Sequence, residues 1–156
     1  MEGYIQDCAT LFFLSMVPVV ELRGAIPVGI AMGISPGAAW LVSVAGNMVP
    51  VPFIILFIRK IFVWMKQRGG TMSRVVSRME GKADRGADLF YRYELLGLCI
   101  LVAIPLPGTG AWTGALVAAM LRLRMRSAVP AIGLGVCIAG AIMLTLSCGV
   151  EFIVSL

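Results

Sequence analysis

Two runs without a single Asp, Glu, Lys or Arg constrain this chain most: residues 36–58, which are 23 residues long, and 127–150, which are 24. A helix that crosses a bilayer needs about 20 apolar residues, so both runs are long enough to span. Hydrophobic residues make up 60% of the 156-residue chain and the mean hydropathy is +0.96, too apolar for a water-soluble domain. The chain reads as one all-α integral membrane domain, with no length left for a separate soluble module. Its start does not read as a signal peptide, because Glu2 and Asp7 stand where a basic n-region would be.

Two further apolar segments, 4–34 and 95–121, are each interrupted midway. Pro18 and Pro27 bracket the first break; Pro105, Pro107, Gly108 and Gly110 make the second. Proline inside a helix removes a hydrogen bond and costs about 3 kcal/mol, so paired breaks imply a purpose. The stretch VPVVELRGAIPVGIAMG at 17–33 lines up with IPLPGTGAWTGALVAAM at 104–120, at an offset of 87. Each follows an apolar arm, and each precedes a short apolar half-helix and then a clean span. The organisation is two repeats, 1–65 and 93–156, joined by a basic linker over 66–92.

Charge placement decides how the breaks are read. The cations fall in two groups: nine from Arg59 to Arg92, and Arg122, Arg124 and Arg126; Arg23 stands alone. If all four apolar segments cross, the two groups lie on opposite faces. If 4–34 and 95–121 are re-entrant hairpins, both groups lie on the cytoplasmic face, as the positive-inside rule demands. Glu2, Asp7, Glu151 and both termini then lie outside. One crossing separates the repeats, which makes them inverted. In the linker, Met72, Val75, Val76, Met79, Ala83, Ala87 and Phe90 recur at helical spacing between basic residues, a pattern expected of an amphipathic helix on the membrane surface. Anionic inner-leaflet lipid accounts for the basic loops better than nucleic acid does.

Chemistry is confined by what the chain lacks. It has no His, which removes imidazole catalysis and His-ligated metals. Cys8, Cys99, Cys137 and Cys148 are far apart and read as small buried hydrophobes. No cofactor and no metal is expected, and the chain does not read as an enzyme.

Inverted repeats with broken helices hold their binding site where the repeats meet, near the midplane. The candidate substrate-binding residues are therefore Glu21, Arg23 and Gly24 at the first break and Pro105, Gly108, Thr109 and Gly110 at the second. Helix N-termini there would carry partial positive charge, and Arg23 adds a planar fork suited to phosphate or carboxylate. Such a site wants an anion, with Glu21 either pairing with Arg23 or taking a proton. A buried Glu21–Arg23 ion pair that only pins the hairpin is the structural alternative. Asn47 either lines the site or bonds a neighbouring helix. Arg92, beside Glu94, either guides an anionic headgroup inward or is a solvated surface charge. Trp40 and Trp64 flank the first span as interface anchors, and Trp112 is placed to pack or stack beside the second break.

The stretches VELRGAIPVGIAMG (20–33) and PLPGTGAWTGALVAA (105–119) together resemble the small multidrug export protein family, which looks like a compact relative of the DedA/VTT superfamily. The resemblance covers nearly the whole chain. It implies re-entrant hairpins in inverted repeats and movement of lipids such as undecaprenyl phosphate or phospholipids, with proton coupling, and its functional acidic and arginine residues match Glu21 and Arg23. The chain departs from that pattern at PLPGTG, which holds no acid. The expectation is an inner-membrane transporter or flippase for an anionic lipid phosphate, working as a homodimer or larger oligomer. The alternatives are a small-molecule or multidrug exporter and a non-transporting scaffold or assembly factor.

Overall fold

The computed structural model describes residues 2–67, 87–106 and 109–154. Among these residues the protein is all-helical. Seven helices follow one another: α1 (Glu2–Met16), α2 (Glu21–Ala31), α3 (Pro36–Met48), α4 (Pro50–Gln67), α5 (Ala87–Ala103), α6 (Ala111–Met120) and α7 (Met125–Val154). Two stretches are long and apolar enough to cross a membrane, Pro36–Trp64 and Met125–Gly149. The expected amphipathic linker helix falls largely on residues 68–86, outside the described residues.

The order long arm, short helix, long span occurs twice. α1 and α5 are the arms, α2 and α6 the short helices. The α3–α4 pair and α7 are the spans. The first span is not continuous, because Pro50 has no N–H to give the carbonyl of Gly46; the N–H of Val49 takes it instead, at 3.3 Å, and α4 starts afresh at Pro50.

Both short helices end the same way. The N–H of Ile34 bonds the carbonyl of Gly29, and that of Leu123 bonds the carbonyl of Ala118, each at 3.0 Å. Gly33 (φ 81°) and Arg122 (φ 54°) take the left-handed position that this type of C-terminal cap requires. These features are 89 positions apart (34 to 123). The ends of α1 and α5 are 87 apart (Met16 to Ala103). The offset of 87 therefore holds for the arms alone; the break at 104–110 is longer than that at 17–20, and the register shifts by two beyond it.

Small residues let the backbones approach, as they must where lipid gives no hydrophobic drive between helices. A Cβ on Gly46 of α3 would stand 2.5 Å from the carbonyl oxygen of Phe12 in α1. A Cβ on Gly135 of α7 would stand 2.7 Å from that of Cys99 in α5. Gly46 and Gly135 are again 89 apart, so the two crossings are built alike. The core then closes around α6, whose Ala111, Ala115, Ala118 and Ala119 are buried with Ile55, Val102, Leu123 and Ile132. Gly29 and Gly114 serve packing: the first meets Leu11 and Ala39, the second Val102 and Ile132.

The two halves interlock: α2 packs on α7, and α4 packs on α6. At one end of the molecule Arg59 of α4 donates from Nη2 to the carbonyl of Leu123. That contact brings the Arg59–Lys60 group beside the Arg122–Arg126 group.

Candidate functional site

The two breaks meet. Residues 17–20, between α1 and α2, face residues 104–106 and 109–110, between α5 and α6. They enclose a cleft of about 730 Å³, lined by Pro18, Val19, Val20, Glu21, Arg23, Gly24, Pro105, Thr109, Thr113 and Met143. Its charged side chains are Glu21 and Arg23; most of the remaining wall is apolar.

Arg23 crosses to the opposite half. Its Nη1 donates to the carbonyl of Leu106, and its Nη2 donates to the carbonyl of Ile104 and to Oγ1 of Thr109, each at 3.1 Å. Thr109 Oγ1 also lies 2.8 Å from the Ile104 carbonyl and 3.0 Å from that of Leu106. The bend at Pro105 frees these carbonyls from a helical ladder, and a guanidinium supplies enough donors in one plane to gather them. Arg23 thereby holds the second break in shape while remaining on the cleft wall.

Glu21 also crosses. It is only 7% exposed, and its carboxylate lies against Gly110, where a Cβ would come within 2.6 Å of Cδ. The backbone N–H of Trp112 points at Oε1 at a long 3.4 Å. Gly110 caps α6, so the carboxylate stands at the N-terminus of that helix, where unpaired N–H groups favour an anion. Glu21 holds this place with a left-handed backbone, φ 47°, a conformation that costs a non-glycine residue about 1–2 kcal/mol. Trp112 is tied to the other half by its indole, which donates to the carbonyl of Met16 at 3.1 Å.

Glu21 and Arg23 therefore do not bond each other; Arg23 is engaged by Ile104, Leu106 and Thr109, and Glu21 by Gly110 and Trp112. The helix end expected to receive a substrate anion already holds the protein's own carboxylate. Gly24, Pro105 and Thr109 line the cleft as expected, and Gly110 lies beneath Glu21. Gly108 lies outside the described residues, as does the side chain of Arg92. Asn47 is not on the cleft wall. It is fully buried in α3, where its amide atoms, Ser43 Oγ and Trp40 Nε1 find no partner. Trp40 is half-buried, its indole pressed against Gly140 of α7. Thr113 and Met143 join the wall without a signal in the sequence; both sit in runs that read as plain helix.

Residues 21–142 match the model of a family described as "Putative small multi-drug export protein". No curated protein and no solved structure matches the chain.

Proposed function

Because the chain belongs to the small multi-drug export protein family, we propose that it is a membrane exporter whose substrate joins an anionic group to an apolar body and binds in the Glu21–Arg23 cleft. The observation that carries this reading is the carboxylate of Glu21 on the N-terminus of α6, with Arg23 on the same wall. That is an anion site filled by an internal anion. Protonation of Glu21 would remove its hold on the helix end, and the substrate's anionic group would take its place. The apolar wall of Pro18, Val19, Val20, Pro105 and Met143 would carry the hydrophobic body. A lipid phosphate, such as a polyprenyl phosphate or a phospholipid, has this form.

The membrane arrangement belongs to the same proposal. We read α1–α2 and α5–α6 as re-entrant hairpins whose bends meet near the midplane, and α3–α4 and α7 as the two crossings. The repeats are then inverted. The matching helix ends and glycine crossings support this, as does the Arg59–Leu123 contact, which puts both basic groups at one end. That end is cytoplasmic by the positive-inside rule, in an inner membrane. Two crossings are few to enclose a path, so the working unit is a homodimer or larger.

The family description fits a second reading, small-molecule or multidrug export, for which we take small amphipathic cations drawn to Glu21 as the substrates. One experiment separates the two. Proteoliposomes carrying the wild type, Glu21→Gln or Arg23→Ala are tested for movement of a fluorescent polyprenyl phosphate, a phospholipid and a lipophilic cation. The proposal requires the wild type to move an anionic lipid and both variants to fail. Movement of the cation alone establishes the second reading. Movement of nothing, or variants equal to wild type, makes the two charges structural pins and moves the scaffold reading ahead.

A further inference from the structure

Taking the Glu21–Arg23 cleft as the substrate site, as proposed above, we infer that it opens sideways into the hydrocarbon of the bilayer. Its substrate is then a membrane-resident lipid that enters headgroup first and leaves its chain outside the protein.

The mouth of the cleft is apolar on both sides. Pro18, Val19 and Pro105 line the cleft, yet Val19 is 90% exposed. Val17, next to Pro18, and Ile104 and Leu106, on either side of Pro105, are exposed as well. Val17 matches Ile104, and Val19 matches Leu106, at the offset of 87 that holds for the arms. Both breaks thus present an exposed aliphatic side chain at the same two positions. Residues 17–20 and 104–106 contain no polar side chain, whereas turns that face water favour Gly, Asn, Asp and Ser.

The backbone gives a second, independent reason. An irregular segment tolerates hydrocarbon only where its own polar groups are bonded within the protein. Arg23 takes the carbonyls of Ile104 and Leu106 from the cleft side, and Thr109 shares both. In the first break the N–H groups of Glu21 and Gly24 take the carbonyls of Val17 and Val20, at 2.9 and 3.0 Å. These acceptors are spent inside, and aliphatic side chains are left to face outward.

The occupant of the mouth is an acyl chain rather than a second copy. Where this chain packs helix on helix it uses glycine and alanine, as at Gly46, at Gly135 and along α6. The exposed positions of the mouth have neither, and small residues are what helix contacts in a bilayer select. The mouth is also continuous with Arg23 on the cleft wall, whose charge suits an anionic head on the same molecule that carries the chain.

Spin labels test this. A nitroxide is attached at Val19→Cys, at Leu106→Cys and, as the hydrocarbon reference, at Ile138→Cys, an exposed position near the middle of the Met125–Gly149 span. Cys8, Cys99, Cys137 and Cys148 are replaced by Ala, and the full chain is placed in phosphatidylcholine–phosphatidylglycerol vesicles. Collisions with oxygen, which concentrates in hydrocarbon, and with a water-soluble nickel chelate are read from the spectra. Labels at 19 and 106 should match the label at 138, reached by oxygen and not by the chelate. Access to the chelate would put the mouth in water and overturn the inference. Shielding from both reagents would mean that protein covers the mouth, a second copy included, and would overturn it too. In the Trp40→Phe, Trp64→Phe background, Trp112 emission in the same vesicles should shift with dodecyl phosphate and not with inorganic phosphate. An equal shift with inorganic phosphate would show loading from water and count against the inference. No shift with either, while 19 and 106 still match 138, would defeat the reading of the cleft as a substrate site and leave the lipid-facing mouth standing.

Discussion

The carboxylate of Glu21 rests on Gly110, across the meeting of the two halves. By the 89-residue register of the helix ends these two positions are counterparts, so the acid of one break fills the space left by the missing side chain of the other. The absence of an acid in PLPGTG follows from this fit: one carboxylate serves both breaks, and a side chain at 110 would expel it.

Gly110→Ala should therefore act as an indirect Glu21 variant. The added methyl displaces the carboxylate or separates the halves, costing about 1–3 kcal/mol of stability. Gly97→Ala, where nothing lies within 4 Å of the new atom, should show no packing penalty. Thermal unfolding of the two variants in detergent makes the comparison.

Arg23 gathers three acceptors in one plane, and lysine cannot do so. Arg23→Lys keeps the charge yet should destabilise nearly as much as Arg23→Ala, because one ammonium cannot bridge the Ile104 and Leu106 carbonyls and Thr109 Oγ1 together; each lost bond is worth about 1 kcal/mol. Thr109→Val should cost less, about 1 kcal/mol. Rescue of stability by lysine would show that charge alone matters at this position.

The glycine crossings predict a matched pair. Gly46→Ala and Gly135→Ala should each lose about 1–3 kcal/mol, because the new methyl meets a backbone oxygen that cannot move aside. Gly149→Ala, in open space, serves as the control. Unequal losses at 46 and 135 would contradict the structural equivalence of the two halves.

Asn47 predicts the opposite sign. Its amide is buried without a partner, and replacing an unsatisfied polar group by an apolar one of similar size relieves a cost of about 1–3 kcal/mol. Asn47→Leu should leave transport intact and keep or raise the thermal midpoint. Loss of transport with the fold retained would return Asn47 to the substrate path.

Much of this was legible in the residues, for physical reasons that also mark where legibility stops. Uncharged runs report spanning length directly, and 36–58 and 127–150 fall within the two long helical stretches. Prolines report breaks, and α1 ends just before Pro18 as α5 ends just before Pro105. A charge in an apolar segment is conspicuous, which singled out Glu21 and Arg23. Their partners were not legible, because nothing local shows that both side chains cross to the other half rather than pair with each other. The register beyond the breaks was also hidden, since loops 17–20 and 104–110 differ in length while their flanking helices match. The restart of the helix at Pro50 was hidden as well, since an uncharged run gives no hint of it. Asn47 illustrates the limit for buried polar groups: composition shows the amide, and only packing shows that it is fully buried and off the cleft wall.

If a substrate displaces Glu21 from the N-terminus of α6, as proposed, Trp112 reports it directly. Its N–H faces Glu21, and its indole is fixed to Met16. In a Trp40→Phe, Trp64→Phe background, Trp112 is the one tryptophan left. Its emission is followed during titration with dodecyl phosphate and with dodecyltrimethylammonium, which share a tail and differ in charge. The phosphate should give a saturable shift, tighter in Glu21→Gln, and the cation none. A shift with the cation alone, or a phosphate affinity unchanged by Glu21→Gln, would contradict that displacement.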